Sequence, residues 1–254
     1  MAKDSVCLDD ESDYPFEVEN VEESPRTKQC KPMGKNMRSA RQNSAVVPDY
    51  LLTECAAGRV TGPFGEHQRS GNIVDLSSPE GDSVNDGVDT ELCSLQYVKV
   101  EDAAREVATQ GHNTWMAKID VQQAYRNVPI HPQDRWLLGM LWEDKIFNDT
   151  TMPFGLCSAP KIFTALADAV EWVLRERGVQ FVIHYLDDFL LVGGTDCAAC
   201  AAQLGIVLDT FEELGLPVAM NKLEGPTSCL TFLGFKLDAV AIELQLPQSK
   251  LEEL

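Results

Sequence analysis

Apolar residues recur along the chain in two rhythms. Short runs bounded by Gly, Asn, Asp or Ser predict strands: "TWMAKIDV", which ends at Asp120, then "QFVIHYL" and "FLLVGG", with "LPVAMNKLEG", "CLTFLGFKLD" and "AIELQL" as the last strands. Longer stretches carry apolar residues at helical spacing. "SAPKIFTALADAVEWVLRERG" has Ser158 at the N-cap, Pro160 in the first turn and Gly178 as a stop. "CAACAAQLGIVLDTFEELG" closes at Gly215, and "SLQYVKVEDAAREVATQG" directs Val98, Ala103, Val107 and Ala108 to a core, with Gly111 at its C-cap. "RWLLGMLWEDKIFNDTTMPFG" predicts a hairpin turning near "EDK". Upstream, "SAVVPDYLLTECAAGRVTGPF" predicts a short helix, and "NIVDL" a strand followed by a polar loop. The order of elements predicts an α+β fold, with helices on one face of an antiparallel sheet.

Composition narrows the classes. With 254 residues and 44% hydrophobic content, the chain can build a sizeable core. No apolar run reaches the length of a membrane span, and the N-terminus lacks an apolar signal region, so the expectation is an intracellular protein of cytoplasm or nucleus, neither secreted nor membrane-bound. Eight cysteines without framework spacing fit a reducing compartment, and Cys197 and Cys200 are better read as the start of a helix than as a zinc site. The net charge of −19 opposes tight binding of a polyanion by this chain alone. Part of that charge is local: residues 1–44 are strongly acidic up to Glu23 and then basic, the pattern of a disordered tail.

The chemistry concentrates in "HYLDDFLLVG". An aspartate pair alone is an ordinary turn, but Asp187 and Asp188 lie between two strongly apolar strands, where an unpaired carboxylate costs several kcal/mol. A hairpin with its tip at Leu186 to Phe189 would bring both to one sheet edge. Asp120 ends another apolar strand, so three carboxylates converge, and these repel unless a cation neutralises them. Oxygen donors with positions to spare suit Mg²⁺, and two such ions about 4 Å apart serve phosphoryl transfer.

In order, "KIDVQQAYRNVPIHPQDR", "MPFGLCSAPKIF", "HYLDDFLLVG", "LGLPVAMNKLEG" and "LTFLGFKLD" resemble the palm motifs of reverse transcriptases, most closely the DIRS- and Ty3-type retrotransposon enzymes. The likeness extends upstream through "NIVDLSSPEGDSVNDGV" and covers roughly residues 35–250. It implies a ferredoxin-like palm over 113–254, a truncated fingers region over 45–112 and a tail over 1–44. It also implies two Mg²⁺, with Mn²⁺ as an alternative, held by Asp120, Asp187 and Asp188. Tyr125 would sit under the incoming sugar and select dNTP over NTP. Phe154 and Gly155 would let the nascent base pair approach. Tyr185 would flank the primer terminus, and Phe232, Leu233 and Gly234 would grip the primer. Lys222, placed on the strand after Gly215, would protonate or neutralise the leaving pyrophosphate. The implied partners are an RNA or DNA template with a DNA primer, dNTPs, and separate ribonuclease H or recombinase modules of the same element.

Three features depart from the family pattern. Ser70 and Gly71 stand where a Trp-Arg pair would hold the triphosphate, with Arg69 out of register. The sequence ends at Leu254 without a thumb, and the balance of charge is acidic. These features lead us to expect an impaired polymerase. The competing reading is a silent palm scaffold acting as a binding module, against which the retained carboxylates count. Tyr125 argues against an RNA-synthesising palm enzyme, and the absence of "GGDEF" against a nucleotide cyclase.

Overall fold

The structure, a computed structural model, describes residues 45–64, 76–77, 80–81 and 83–247. The expected tail, residues 69–71 and most of the "NIVDL" strand lie outside the described residues, and Leu76 sits in a turn. The helices are α1 (Val46–Ala56), α2 (Val100–Gln110), α3 (Ala159–Glu176) and α4 (Cys197–Glu213). The strands are β1 (Val60–Phe64), β2 (Met116–Asp120), β3 (Gly139–Trp142), β4 (Lys145–Asp149), β5 (Val182–Tyr185), β6 (Asp188–Val192), β7 (Glu224–Thr227), β8 (Cys229–Phe232), β9 (Phe235–Asp238) and β10 (Glu243–Gln245). The fold is α+β with antiparallel sheets.

The central sheet has the order β5-β6-β2-β7. Side chains alternate across a strand, and β2 and β6 carry apolar residues on both faces, so both must be covered. Ala117, Ile119, Val182, Phe189 and Leu191 face α3 and α4, where Phe163, Val170, Leu174, Val207 and Phe211 complete the larger core. Met116, Ile183, Leu190 and Val192 face the other way, onto α2 and the β8–β9 hairpin, through Val100, Ala103, Val107, Leu230, Phe232 and Leu237. The two long helices thus take one face as expected, while α2 and a hairpin take the other. Within α2, Ala103 and Val107 are buried, and Val98, just before the helix, packs against the same core, but Ala108 is exposed. Ala104 packs in Ala108's stead, because it shares the stripe of Val100 and Val107.

Two glycines allow close approach. A Cβ on Gly193 would lie 2.5 Å from Cys200 Cβ, so this glycine seats α4 on the sheet. A Cβ on Gly225 would lie 2.5 Å from the Met116 carbonyl oxygen, so only glycine lets β7 join β2. Ser158 stands at the N-cap of α3 with Pro160 in the first turn, but its side chain makes no capping bond. Asp196 caps α4 by accepting from the Ala198 amide, and Cys200 is buried beneath. A second sheet, β1-β4-β3, packs on α1 through Leu51, Val60 and Phe147. Its β3–β4 turn falls at Glu143 and Asp144, as "EDK" implies. Among the described residues no helix is long and apolar enough to cross a membrane.

Candidate active site

The register of β2 against β6 sets Asp120 opposite Asp188. Both belong to the face that also carries Met116, Leu190 and Val192, since residues two apart share a face. The β5–β6 turn is tight: Tyr185 pairs with Asp188, leaving Leu186 and Asp187 at the tip, with Leu186 at φ +53°. The Val121 amide donates to the Asp187 carbonyl at 2.9 Å and the Ala219 amide to the Asp120 carbonyl at 2.9 Å, which ties the ends of three segments together.

Asp120 is 6% exposed, and its Oδ2 accepts from Lys222 Nζ at 2.8 Å. Lys222 lies in a turn after the isolated Val121–Val218 bridge rather than on a strand, a correction to the expected element. The "LPVAMN" segment pairs only there, because β7 starts at Glu224. Lys118, two residues before Asp120 on the same face, donates to the Thr231 carbonyl at 3.2 Å and lies 3.8 Å from Glu224. A cleft of about 430 Å³ opens here, lined by Lys118, Asp120, Asp188, Lys222 and Glu224 among others. Asp187 lies on the adjoining β5–β6 turn and is not among the lining residues.

Electrostatics follow from this crowding. Burial, then Asp187 and Asp120, push the Asp188 carboxyl above the usual carboxylate range. Burial and Asp120 do the same to Asp187, although its own backbone amide and Lys222 offset part of the effect. The hydrogen bond to Asp120 raises Lys222, so it stays protonated. Among the described residues no three His, Cys, Asp or Glu side chains close on one point. The three aspartates nevertheless suit a hard cation in donor type and charge: all donors are oxygen, two are raised by burial and then by neighbouring carboxylates, and an ammonium already rests on Asp120.

The aromatic residues gather beside the carboxylates. Tyr125 rides on a short 3₁₀ turn, Ala124–Asn127, entered through Gln123 in the left-handed region. Its ring lies 5.2 Å from Phe154 and 5.9 Å from Phe163. Burial, then Asp187, Tyr97 and Tyr185, raise its hydroxyl pKa, so it keeps its proton. Phe154 is 66% exposed, and Gly155 takes φ +92°. The Asn85 amide clamps that loop, donating to the Gly155 carbonyl and accepting from the Cys157 amide, both at 2.9 Å. Tyr185 stacks on Tyr97 with centroids 4.8 Å apart. Phe232 is 1% exposed, so its side chain anchors the β8–β9 hairpin in the core and cannot meet a primer, which corrects that assignment. Leu233 (φ +49°) and Gly234 (φ +78°) form the half-buried tip, where Leu233 packs against the core.

Sequence reasoning missed Lys118, Asn85, Tyr97 and Arg126. The period-two pattern of β2 already puts Lys118 beside Asp120; Asn85 and Tyr97 reach the site from distant segments, and Arg126, though next to Tyr125, has its partners far along the chain, so none of the three leaves a local signal.

Residues 77–237, more than half of the chain, match the family described as reverse transcriptase (RNA-dependent DNA polymerase). The chain belongs to the reverse transcriptase family. Among its curated relatives are viral polyproteins. It is 26% identical over 130 residues to a Gag-Pol polyprotein of avian reticuloendotheliosis virus, covering 48% of this chain and 11% of that one. It is 27% identical over 119 residues to a Pro-Pol polyprotein of feline foamy virus, covering 47% and 10%. It is 26% identical over 144 residues to an enzymatic polyprotein of Cestrum yellow leaf curling virus, covering 56% and 22%. This reverse transcriptase-family chain therefore spans a small part of those relatives. Its fold is similar to that of the foamy viral protease-reverse transcriptase, solved with double-stranded DNA (TM-score 0.62, 18% identity, 91% of this chain, 38% of that one) and with an RNA/DNA hybrid (0.62, 18%, 88%, 29%).

Proposed function

We propose that this reverse transcriptase-family chain is the polymerase region of a retroelement, of the DIRS/Ty3 type, acting inside the cell to add dNTPs to a primer 3′-hydroxyl on an RNA or DNA template. The observation that carries this reading is the register that sets Asp120 against Asp188, with Asp187 on the adjoining turn, at the mouth of a cleft flanked by Lys118 and Lys222. Asp120, Asp187 and Asp188 would hold two Mg²⁺, or Mn²⁺. When bound, these ions supply activation of the primer hydroxyl and charge neutralisation at the phosphates. The chain's own groups do the rest. Tyr125 packs under the sugar and excludes a 2′-hydroxyl. Phe154 and Gly155 bound the space for the base pair, with Gly155 held by Asn85. Tyr185 on Tyr97 flanks the primer end, and Leu233 and Gly234 touch its backbone. Lys222 holds a proton within reach of the cleft, as neutralisation of a leaving pyrophosphate requires.

We further propose that triphosphate binding is weak. Ser70 and Gly71 stand where the family places Trp-Arg, with Arg69 out of register, and the cations lining the cleft among the described residues are two lysines, which bind phosphate as point charges without a bidentate fork. Loss of such charge-assisted bonds costs about 1.5–3 kcal/mol each. That departure also favours the second reading, a silent palm scaffold.

Primer extension on poly(rA)/oligo(dT) with Mg²⁺ or Mn²⁺ tests all of this. Weak extension that disappears in Asp120→Asn and Asp187→Asn supports a working but impaired polymerase. Extension that survives either substitution sinks the metal assignment, and activity equal to that of a longer family enzyme sinks the impairment. No extension under either metal supports the scaffold.

A further inference from the structure

Arg126 is the only Lys or Arg among the described residues that is fully buried, and it follows Tyr125 directly in the chain. Side chains diverge by about 120° per residue on a 3₁₀ turn. The Tyr125 ring accordingly goes to Phe154 and Phe163, while the guanidinium goes into a buried polar network of its own. Its Nη1 donates to Asp149 Oδ1 at 2.5 Å and to the Thr151 carbonyl at 3.3 Å. Its Nη2 donates to the Tyr50 hydroxyl at 2.7 Å and lies 3.5 Å from Glu54 Oε2. Arg59 grips the same Glu54 through two bonds, of 2.9 and 2.7 Å. The group is neutral as a whole, two arginines against two carboxylates, and draws its members from α1, the turn before β1, and the end of β4.

A buried ionic group adds little net stability, but it fixes geometry strictly, because each displaced charge would be left unpaired. The turn beneath Tyr125 needs such fixing. Its backbone is entered through a left-handed residue. Within the turn it is held by Arg126 N to Gln123 O at 2.7 Å, Val128 N to Tyr125 O at 3.1 Å and the Asn127 side-chain amide on the carbonyls of 122–124. Long-range backbone bonds flank it at Gln122, to the Pro217 carbonyl, and at Val128, from the Met152 amide, so inside the turn the Arg126 side chain is the tie to α1 and β4. An arginine fork is planar and bidentate, so it sets direction as well as distance.

We infer that Arg126 is a positioning residue: by clamping the 124–127 turn to α1 and β4, it fixes the Tyr125 ring against Phe154 and Phe163 and thereby sets deoxyribose-over-ribose selection. The functional half rests on the sugar-selecting reading of Tyr125 above; the positional half does not.

Both halves are testable on the full chain labelled with 3-fluorotyrosine and followed by ¹⁹F NMR, with the Tyr125 line assigned through Tyr125→Phe. In Arg126→Lys the Tyr125 line shifts or splits, while the lines of the stacked Tyr97 and Tyr185 hold their positions. Tyr50→Phe, which removes one exposed hydroxyl from the network, shifts it less. If the Tyr125 line stays in place in a folded Arg126→Lys protein, or all lines move together, the positioning role is overturned. If Arg126→Lys does not fold, Tyr50→Phe decides by the same criterion. In single-nucleotide extension with dTTP and UTP, Arg126→Lys narrows the ratio of kcat/KM by about tenfold, the scale expected for a small misplacement of a positioning group. Tyr125→Ala narrows it further. An unchanged ratio in Tyr125→Ala removes the sugar-selecting reading and leaves the clamp to the NMR result. A ratio changed in Tyr125→Ala but not in Arg126→Lys overturns the inference.

Discussion

Replacing Asp188 with Asn should make the metal-free protein more stable. Asp188 sits opposite Asp120 across an antiparallel pair, where Cβ atoms are about 4.5–5.5 Å apart. At about 5 Å and an effective dielectric near 20, two carboxylates repel by roughly 3 kcal/mol. Lys222 on Asp120 and Lys118 nearby offset much of this, leaving on the order of 1 kcal/mol against the fold. Because the Asp188 carboxyl is pushed upward, the folded chain binds that proton more tightly than the unfolded chain. The stability tied to it is present below the ordinary carboxylate pKa and is lost as pH rises through the raised one. At pH 7 the penalty is fully in force, and an amide of the same shape removes it. About 1 kcal/mol corresponds to a rise in Tm of about 2–4 °C for a chain of this size. The assay is thermal denaturation in EDTA at pH 7 and pH 4, then with Mg²⁺ added. Asp188→Asn should melt higher than wild type in EDTA at pH 7, lose that advantage at pH 4, and gain less from Mg²⁺. A variant that melts at or below wild type in EDTA at pH 7 would refute the reasoning that these charges are in unrelieved contact.

Other substitutions separate the remaining roles. Asn85→Ala frees the Gly155–Cys157 loop of two hydrogen bonds, so stability falls by about 1–2 kcal/mol and the KM for dNTP rises more than kcat falls; a KM that does not move removes Asn85 from the nucleotide pocket. Gly225→Ala drives a methyl into the Met116 and Ala117 backbone, and a loss of roughly 3 kcal/mol or more should appear in chemical denaturation. A loss below about 1 kcal/mol would mean that β7 can slide away from β2. Leu233→Gly relieves a left-handed leucine at the hairpin tip but removes a side chain packed on the core, so stability should change by less than about 1 kcal/mol in either direction while primer affinity falls, and unchanged primer affinity would take the tip out of the primer contact.

The sequence made the carboxylate platform legible because its cues are local: apolar strands that end in Asp, and a tight turn between two of them. Helix limits came through for the same reason, with Pro160 and Gly178 bracketing α3. Longer-range features did not. Ala108 lost its core place to Ala104 because helical phase decides which of two alanines faces the sheet, and both fit an apolar pattern. Phe232 was assigned to the primer from its motif, yet strand alternation turns it inward. The strand expected through Lys222 is a single bridge at Val218 followed by a turn, from which Lys222 reaches Asp120. Asn85, Tyr97 and Arg126 act across 40 residues or more of chain, on Gly155, Tyr185 and Tyr50, and no window of sequence shows such pairs.

Two of the hairpins in this fold turn on leucines at positive φ, Leu186 beside Asp187 and Leu233 beside Gly234. A glycine or asparagine would sit in either place with less strain. Leu233 has a reason to stay, since its side chain packs against the core, whereas Leu186 belongs to no core cluster among the described residues. Under selection for folding alone, Leu186 should drift toward glycine or asparagine, and its persistence among related sequences would record selection on what that tip touches.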